Sequence, residues 1–249
     1  MRSNRPKMDI VLLAAGRGTR MKEYTAEKTK AMLVLPQEGK PMLQVTVENC
    51  IALGSTRFII VVGYRKEDVM QHQPFLDLEK QGLAQFIFVE QENHSGGTAD
   101  AVETALPHVV SNQFLCIFSD VVATVKQLKS LVAASDGANN KDSAVMAVRT
   151  VPNPERYGVV ETRPVGDLLL MTRITEKSPE PQSNLINAGV YVFPESIAPF
   201  VKATGKSARG ERELTDSMQN FVDAGHDMVL VNVNLLDVGT KEEYQQLCK

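Results

Sequence analysis

The sequence predicts an α/β fold in which a doubly wound, mostly parallel sheet is followed by a more antiparallel half. Over residues 9–150, apolar runs of strand length alternate with amphipathic stretches of helix length. These runs lack polar alternation, which is typical of strands buried on both faces, and intervening helices imply parallel crossovers. Beyond residue 150 two polar–apolar runs follow one another closely, which indicates antiparallel pairing.

In the first half, each predicted element has its own signal. The predicted helix Met42–Leu53 carries apolar residues at helical spacing and is followed by Gly54, a common helix stop. The predicted strands are Asp9–Ala15, Phe58–Val62, Ala84–Val89, Phe114–Phe118 and Ala144–Val148. One further helix is predicted to begin near Glu67. Two others are predicted over Thr98–Leu106, which Pro107 ends, and over Val125–Ala134.

In the second half, Val159–Thr162 and Leu168–Thr175 are predicted to pair as strands, and Asn187–Phe193 is a further strand. The remaining predicted elements are a helix over Glu211–Ala224, a strand over Met228–Val233 and a closing helix over Lys241–Leu247. The basic residues 1–8 precede the first strand, and we expect them to form a flexible leader to a single domain over residues 9–249.

Composition limits the classes of function. The 249 residues are 43% hydrophobic and 23% charged, as in soluble globular proteins, and the net charge of −3 offers no basic field for nucleic acid. The longest apolar runs are far shorter than the ~20 residues of a membrane span. Cys50, Cys116 and Cys248 lack C-x-x-C spacing, so we expect buried free thiols and a cytoplasmic protein.

A glycine-rich segment, Gly16-Arg17-Gly18-Thr19-Arg20, follows the first predicted strand. Glycines let the backbone approach a ligand, consecutive N–H groups can hold phosphate oxygens, and Arg20 can add a charged fork. A dinucleotide-binding fingerprint would need a third glycine where Met21 stands, and the chain contains no P-loop string. The segment is therefore a phosphate-binding loop of another kind or a structural turn.

The segment Leu13–Met21 resembles the signature of the sugar-1-phosphate nucleotidyltransferases, the pyrophosphorylases that make nucleotide sugars. The similarity is greatest to glucose-1-phosphate thymidylyl- and uridylyltransferases and to the pyrophosphorylase domain of acetylglucosamine-1-phosphate uridylyltransferase. Further segments match in the family's order over almost the whole chain. They are Lys30–Leu35, Gly39–Leu43, Gly97–Ala101, Ser119-Asp120, Tyr157–Glu161, Thr175–Lys177, Asn187–Gly189, Glu213–Asp216 and Asp237–Thr240.

The resemblance implies a Rossmann-like, GT-A type fold with a nucleotide-binding half over residues 9–150 and a sugar-binding half over residues 151–249. It implies an enzyme that joins a nucleoside triphosphate to a sugar-1-phosphate and releases pyrophosphate. Some relatives carry a C-terminal β-helix for assembly or acetyl transfer, but no hexapeptide repeat occurs here. We therefore expect no acetyltransferase activity, and any homo-oligomer would form through the catalytic domain.

The same resemblance assigns the charged residues of the site. Arg20 and Lys30 match residues that hold the triphosphate, and Lys177 matches the lysine that binds the sugar phosphate. Asp120 and Asp237 match aspartates that hold one Mg²⁺, an ion that prefers oxygen ligands. Without the resemblance, the simpler explanation is that each aspartate caps a loop or helix and that each lysine is a solvated surface residue.

The predicted binding residues form two groups. The nucleotide group is Leu13, Ala14, Ala15, Gly16, Gly18, Thr19, Gln91, Gly97 and Thr98. The sugar group is Tyr157, Gly158, Glu176 and Asn187. An amide at Gln91 can donate to and accept from a pyrimidine-dione edge, which favours UTP or dTTP, and the sugar is expected to be glucose or a close relative.

Three alternatives remain open at this stage. The loop Asn93–Gly96 is one residue longer than in the usual uridylyl- and thymidylyltransferases, so Glu92 could replace Gln91 as the residue that contacts the base. The nucleotide could then be GTP or CTP. A non-catalytic homologue that binds nucleotide sugars is a second alternative, which the complete set of charged site residues disfavours. A dinucleotide-dependent oxidoreductase is a third, which Met21 disfavours.

Overall fold

The computed structural model describes residues 8–18, 21, 24–93, 95–138 and 142–248. Its strands are β1 (Asp9–Leu13), β2 (Val34–Leu35), β3 (Lys40–Pro41), β4 (Arg57–Val62), β5 (Gln85–Glu90), β6 (Gln113–Phe118), β7 (Val121–Val122), β8 (Ala144–Thr150), β9 (Gly158–Val165), β10 (Leu168–Glu176), β11 (Leu185–Pro194), β12 (Met228–Asn232) and β13 (Leu236–Asp237). Its α-helices are α1 (Met42–Leu53), α2 (Lys66–Met70), α3 (Gln73–Lys80), α4 (Thr98–Ala105), α5 (Val125–Gly137), α6 (Ala198–Ala203), α7 (Leu214–Asp223) and α8 (Lys241–Leu247). Among these described helices, none is both long and apolar enough to cross a membrane.

Nine of the strands form one mixed sheet in the order β5-β4-β1-β6-β11-β8-β12-β10-β9. Strands β5, β4, β1 and β6 are parallel, with Leu13 opposite both Val61 of β4 and Phe118 of β6. Strand β11 is antiparallel to β6 on one side and to β8 on the other. Two small ladders, β7 with β13 and β2 with β3, lie outside this sheet.

The α/β class is confirmed, but the expected run of parallel strands needs a correction at β8. This strand was expected to continue the parallel half, whereas β11 from the second half lies between it and β6. The physical reason is the length and apolarity of β11, in which the side chains from Ala188 to Pro194 are buried. A ten-residue strand buried on both faces can pair with a neighbour along each edge.

The core consists of two apolar layers, one on each face of the sheet. Alternate residues of β1 belong to different layers, because successive side chains of a strand point to opposite faces of the sheet. Ile10 and Leu12 pack with α1 and α5, whereas Val11 and Leu13 pack with α4 and α7. The arrangement is that of a doubly wound fold, in which ligands bind beyond the carboxyl ends of the strands.

Two predicted helices differ from the structure. The helix expected from about Glu67 divides into α2 and α3 at Pro74, in the first turn of α3. A proline has no N–H to bond the carbonyl four residues earlier, that of Met70, and its ring clashes with that carbonyl, so α2 ends there. The helix expected over Glu211–Ala224 begins only at Leu214. Arg212 lies before the helix, and its backbone bonds instead to Gly96 and Ala99.

The three thiols lie in different surroundings. Cys50 and Cys116 are buried, as expected, and burial raises the pKa of the Cys50 thiol to about 12 and that of Cys116 further. The expectation for Cys248 is wrong, because this residue follows α8 and is exposed. No disulfide links these three cysteines.

Candidate active site

A cavity of about 880 Å³ opens where β1 and β6 end, and strands of the second half reach it from the other side. It collects most of the residues that the sequence analysis singled out. They are Leu13, Ala15, Gly16, Gly18, Lys30, Gln91, Gly97, Thr98, Asp120, Tyr157, Gly158, Glu176, Lys177, Asn187 and Asp237. Ala14 does not line it, because the residue is buried and its N–H donates to the carbonyl of Val61. Thr19 and Arg20 lie outside the described residues.

The glycine-rich loop packs directly against Lys30. Gly18 has a φ of +60°, and a Cβ there would lie 3.0 Å from Lys30 Cβ. The Gly18 carbonyl accepts hydrogen bonds from the Met21 N–H and the Thr25 hydroxyl. Met21 itself is fully buried in a small apolar cluster. The residue that replaces a third glycine thus anchors the loop in the core.

Lys30 and Asp120 form an ion pair inside the cavity. Lys30 Nζ lies 2.7 Å from Asp120 Oδ2 and 3.5 Å from the carbonyl oxygen of Gly239. Lys30 begins a 3₁₀ turn, Lys30–Met32, and its side chain is only 10% exposed. A buried ammonium beside a carboxylate is a fixed positive charge that a bound phosphate group can share.

The two candidate metal ligands are brought together by the β7–β13 ladder. Asp237 of β13 pairs with Val121 of β7, and the Val238 N–H donates to the carbonyl of Asp120 at 2.9 Å. Asp120 precedes β7 directly. Two carboxylates that are 117 positions apart in the sequence therefore share one end of the cavity.

A second cation holds the other carboxylate. Arg149, in β8, places a guanidinium nitrogen 2.6 Å from Asp237 Oδ2 and lies over the ring of Tyr157. Burial, and then the charge of Asp120, raise the pKa of Asp237 to about 6, although Arg149 opposes the shift. Two crowded anionic oxygens in a buried place favour a cation between them.

The donor set fits a hard divalent cation such as Mg²⁺. Asp120 and Asp237 supply hard oxygen ligands, and each has one oxygen engaged by a protein cation. The part of the chain that the structure describes contains no group of three or more metal-ligating side chains. The remaining coordination positions would therefore belong to water and to phosphate oxygens, as is usual for Mg²⁺ in phosphoryl-transfer sites.

Gln91, rather than Glu92, lines the cavity. Gln91 is 5% exposed and lines the cavity, whereas Glu92 is exposed to solvent. The amide nitrogen of Gln91 donates to the Gly97 carbonyl at 3.1 Å and to Asp100 Oδ2 at 2.8 Å. The longer loop does not displace Gln91 from the cavity.

The loop before α4 is packed tightly against the segment before α7. Gly97 has a φ of +89°, and a Cβ at this position would overlap the backbone of Arg212. The Thr98 hydroxyl accepts a hydrogen bond from the Leu214 N–H at 2.9 Å. The two halves of the chain therefore meet at this side of the cavity through backbone contacts.

At the opposite end, the predicted sugar-binding residues are fixed by their neighbours. Asn187 Oδ1 accepts from the Gly189 N–H and the Tyr191 hydroxyl, so its amide hydrogens remain for a ligand. Lys177 has a φ of +49°, and its N–H donates to the carbonyl of Tyr157. Its ammonium lies 3.4 Å from Glu176 Oε1.

Gly158 lies close to the side chains of Thr215 and Glu176 at this end of the cavity. A Cβ there would lie 3.0 Å from the Thr215 methyl group and 3.3 Å from Glu176 Oε2. A larger residue at position 158 would therefore crowd the Glu176 carboxylate, whereas glycine leaves that carboxylate able to accept a hydrogen bond from a hydroxyl group. Dense polar contacts of this kind suit a sugar, because each unpaired buried hydroxyl costs about 1–3 kcal/mol.

Sequence reasoning missed several residues of the site. Arg149 was not singled out, and neither were Glu213 and Thr215, although both lie in a segment used for the family resemblance. Glu213 is 5% exposed, and burial together with the charge of Glu176 raises its pKa. The hydroxyl of Thr215 is buried with no hydrogen-bond partner among the described residues. An arginine near the end of a strand gave no signal of its role.

Comparisons with known proteins agree with this geometry. A family model described as nucleotidyl transferase matches residues 9–249. The chain is 33% identical over 218 residues to the bifunctional protein GlmU of Methanocaldococcus jannaschii, covering 86% of this chain and 47% of that protein. It is 30% identical over 240 residues to the UTP–glucose-1-phosphate uridylyltransferase AglF of Haloferax volcanii, covering 95% and 93%.

A solved structure extends the likeness to the fold. The crystal structure of a UDP-glucose pyrophosphorylase complexed with UDP-glucose superposes with a TM-score of 0.84 at 20% identity, covering 97% of each chain. The chain spans about half the length of the GlmU relative that it matches and nearly the whole of AglF. The family resemblance found in the sequence is thus confirmed, and the chain belongs to the nucleotidyl transferase family.

Proposed function

We propose that this protein transfers a nucleotidyl group from UTP or dTTP to a sugar-1-phosphate, glucose-1-phosphate or a close relative, and releases pyrophosphate. One observation carries the proposal. A single cavity is lined by the carboxylates of Asp120 and Asp237 and by the buried Lys30. The amide of Gln91 lies at one end of it and that of Asn187 at the other. The similarity to AglF over 95% of the chain supports it.

The reaction is a problem of charge rather than of proton transfer. A phosphate oxygen of the sugar phosphate attacks the α-phosphorus of the triphosphate, a new P–O bond forms and the bond to pyrophosphate breaks. The nucleophile is already an anion, so no strong general base is needed. Catalysis depends on positioning two polyanions and neutralising their repulsion.

The chain's own residues divide this work. Lys30 neutralises triphosphate oxygens near Asp120, and Lys177 holds the phosphate of the sugar. The backbone of Gly16–Gly18 approaches the phosphates closely because Gly16 has open space around its Cα. Arg20, which lies outside the described residues, joins Lys30 in holding the triphosphate in this proposal.

Asp120 and Asp237 would hold Mg²⁺. When bound, this ion supplies positive charge to phosphate oxygens of both substrates. In the same proposal residues 9–150 carry the nucleotide and residues 151–249 carry the sugar. Glu176, Asn187 and the Gly158 backbone then meet the sugar hydroxyls.

The test is a substrate panel read out as released pyrophosphate. UTP, dTTP, CTP, GTP and ATP are each combined with glucose-1-phosphate, N-acetylglucosamine-1-phosphate and mannose-1-phosphate, with and without Mg²⁺. We expect Mg²⁺-dependent turnover of UTP or dTTP with glucose-1-phosphate or a close relative. Turnover with GTP or CTP alone would overturn the base assignment, and no turnover with any pair would overturn the enzymatic proposal.

A further inference from the structure

We propose that Asp100 is a positioning residue that locks the amide orientation of Gln91 and so selects uracil or thymine against cytosine. This inference rests on the proposed function, since it assumes that the base lies at Gln91. It goes beyond the assignment of Gln91, because it names the group that determines which atom of this side chain the base meets.

The first step is the occupancy of the Gln91 amide. Its nitrogen carries two hydrogens, and the structure provides two acceptors, the Gly97 carbonyl at 3.1 Å and Asp100 Oδ2 at 2.8 Å. The side chain therefore has no free donor for a ligand, so the expectation that Gln91 both donates to and accepts from the base is corrected to acceptance alone. Among the described residues, no hydrogen-bond donor contacts its remaining polar atom, Oε1. The cavity-lining group that a base can use is thus an acceptor.

The second step is that Asp100 permits only this orientation. A carboxylate can accept but cannot donate a hydrogen bond. Rotation of the Gln91 amide by 180° would place Oε1 against both Asp100 Oδ2 and the Gly97 carbonyl, which leaves three acceptors facing one another. Unpaired buried acceptors are costly, so the rotated form is strongly disfavoured.

The third step is that Asp100 is itself held in place. Its other oxygen, Oδ1, lies 3.4 Å from a guanidinium nitrogen of Arg212. The Arg212 side chain is fixed by hydrogen bonds to the carbonyls of Thr204 and Val201. A Cβ at Gly96 would overlap the Asp100 carboxylate, so the absence of a side chain at that position makes room for it. The orientation of Gln91 is therefore defined by a connected network.

The consequence is discrimination at one atom of the base. Uracil and thymine carry a donor, the N3–H of their imide, and an acceptor such as Oε1 suits it. Cytosine in the same ring position would place its unprotonated N3 against Oε1 as a second acceptor, and its N4 amino group could donate to Oε1 only if the ring shifted. Two acceptors that face each other have no hydrogen to share and cannot bond. The site therefore favours the imide bases, uracil and thymine.

The experiment compares UTP with CTP in Asp100→Asn, Asp100→Ala and a matched control. Glu103→Gln is the control, because Glu103 is the other acidic partner of Arg212, whereas the described hydrogen bonds of the Gln91 amide go to Gly97 and Asp100. The asparagine amide can donate as well as accept, so it tolerates both orientations of Gln91. We expect the ratio of kcat/KM for UTP to that for CTP to fall about tenfold in Asp100→Asn. Glu103→Gln should keep the ratio within about twofold.

Two further readouts separate the possible failures. Thermal unfolding shows whether each variant folds, and the isosteric asparagine variant guards against collapse of the alanine variant. Equilibrium dialysis with UMP and CMP measures base preference without turnover. An unchanged UMP/CMP preference in both Asp100 variants, or no preference in the wild type, overturns the inference. A preference for UMP that Asp100→Asn relaxes supports it even if the substrate panel shows no turnover, which would overturn only the proposed function.

Discussion

Arg149 and Asp237 form an ion pair in which a guanidinium nitrogen lies 2.6 Å from Asp237 Oδ2. The same guanidinium carbon lies 5.5 Å from the centre of the Tyr157 ring. Both partners of the pair are largely buried, with side chains 18% and 16% exposed. One cation therefore orients a candidate metal ligand and contacts the ring of Tyr157, a candidate sugar-binding residue.

The first prediction concerns this arginine. Replacing Arg149→Met should weaken Mg²⁺ binding about 10- to 100-fold, because groups that orient a ligand have effects of this size. The measurement is activity against Mg²⁺ concentration, and the activity at saturating Mg²⁺ should recover in large part. Arg163→Met, at an exposed position of β9, is the control. An unchanged Mg²⁺ dependence in Arg149→Met would show that the pair is only structural.

A second prediction concerns Asp120. Asp120→Asn should lower kcat by at least about 100-fold, because it removes the charge of a metal ligand beside the phosphates. Its stability should change by no more than about 1 kcal/mol, since the side chain is partly exposed and asparagine keeps an acceptor for Lys30. Pyrophosphate release and urea unfolding measure the two effects. A large loss of stability with activity retained would identify Asp120 as a capping residue instead.

The third prediction follows from the raised pKa of Asp237, about 6 in the folded protein against an ordinary value of 3.8. Between these values the folded state binds more protons than the unfolded state. Stability therefore falls as the pH rises from 4 to 6, and the cost is fully present above 6. Asp237→Asn removes that cost.

In the absence of divalent cations, Asp237→Asn should melt at least about 3 °C above the wild type at pH 7.5, with the gap closing near pH 4. Thermal unfolding in EDTA at the two pH values is the measurement. Activity should be lost in the same variant. A lower melting temperature at pH 7.5 would mean that the pair with Arg149 outweighs burial and the charge of Asp120.

A fourth prediction separates stability from function. Asp9 is 1% exposed, lies 3.0 Å from an Arg57 nitrogen and accepts backbone hydrogen bonds from Val110 and Ser111. Asp9→Ala leaves Arg57 and these N–H groups without their partner, so it should cost about 3 kcal/mol.

The site lies at the other end of β1, so kcat of Asp9→Ala should stay within about twofold of the wild type below the melting temperature. Asp77→Ala, at a half-exposed position of α3, is the matched control and should change stability by less than about 1 kcal/mol. A strong loss of kcat in Asp9→Ala would show that strain passes along β1 into the cavity.

The positions at strand ends could be predicted from sequence because the carboxyl ends of parallel strands meet at one edge of a sheet. Leu13 ends β1 and Asp120 follows β6, and both residues line the cavity. The family resemblance added residues of the second half, such as Asn187, that no local pattern would have indicated. Burial of Ala14 was not predictable, because the loop signature does not distinguish side chains above and below the backbone.

Other features left no signal in the sequence. The ladder of β7 and β13 consists of two-residue strands, which are too short to show any periodicity. The partners of Arg149 and Asp100 were hidden because each contact joins residues far apart in the chain. The place of β11 between β6 and β8 was also unpredicted, since hydrophobicity shows that a strand is buried but not which neighbours it pairs with.

That central place of β11 has a consequence for how the protein is made. A nascent chain that has emerged only as far as residue 150 has β6 and β8 but not the strand that belongs between them. Both would then present unpaired edges, which are sites for aggregation. Closure of the sheet waits for residues 185–194 and requires long-range pairing, which is intrinsically slow. The vulnerable period during synthesis is therefore the interval between the emergence of β8 and the emergence of β11.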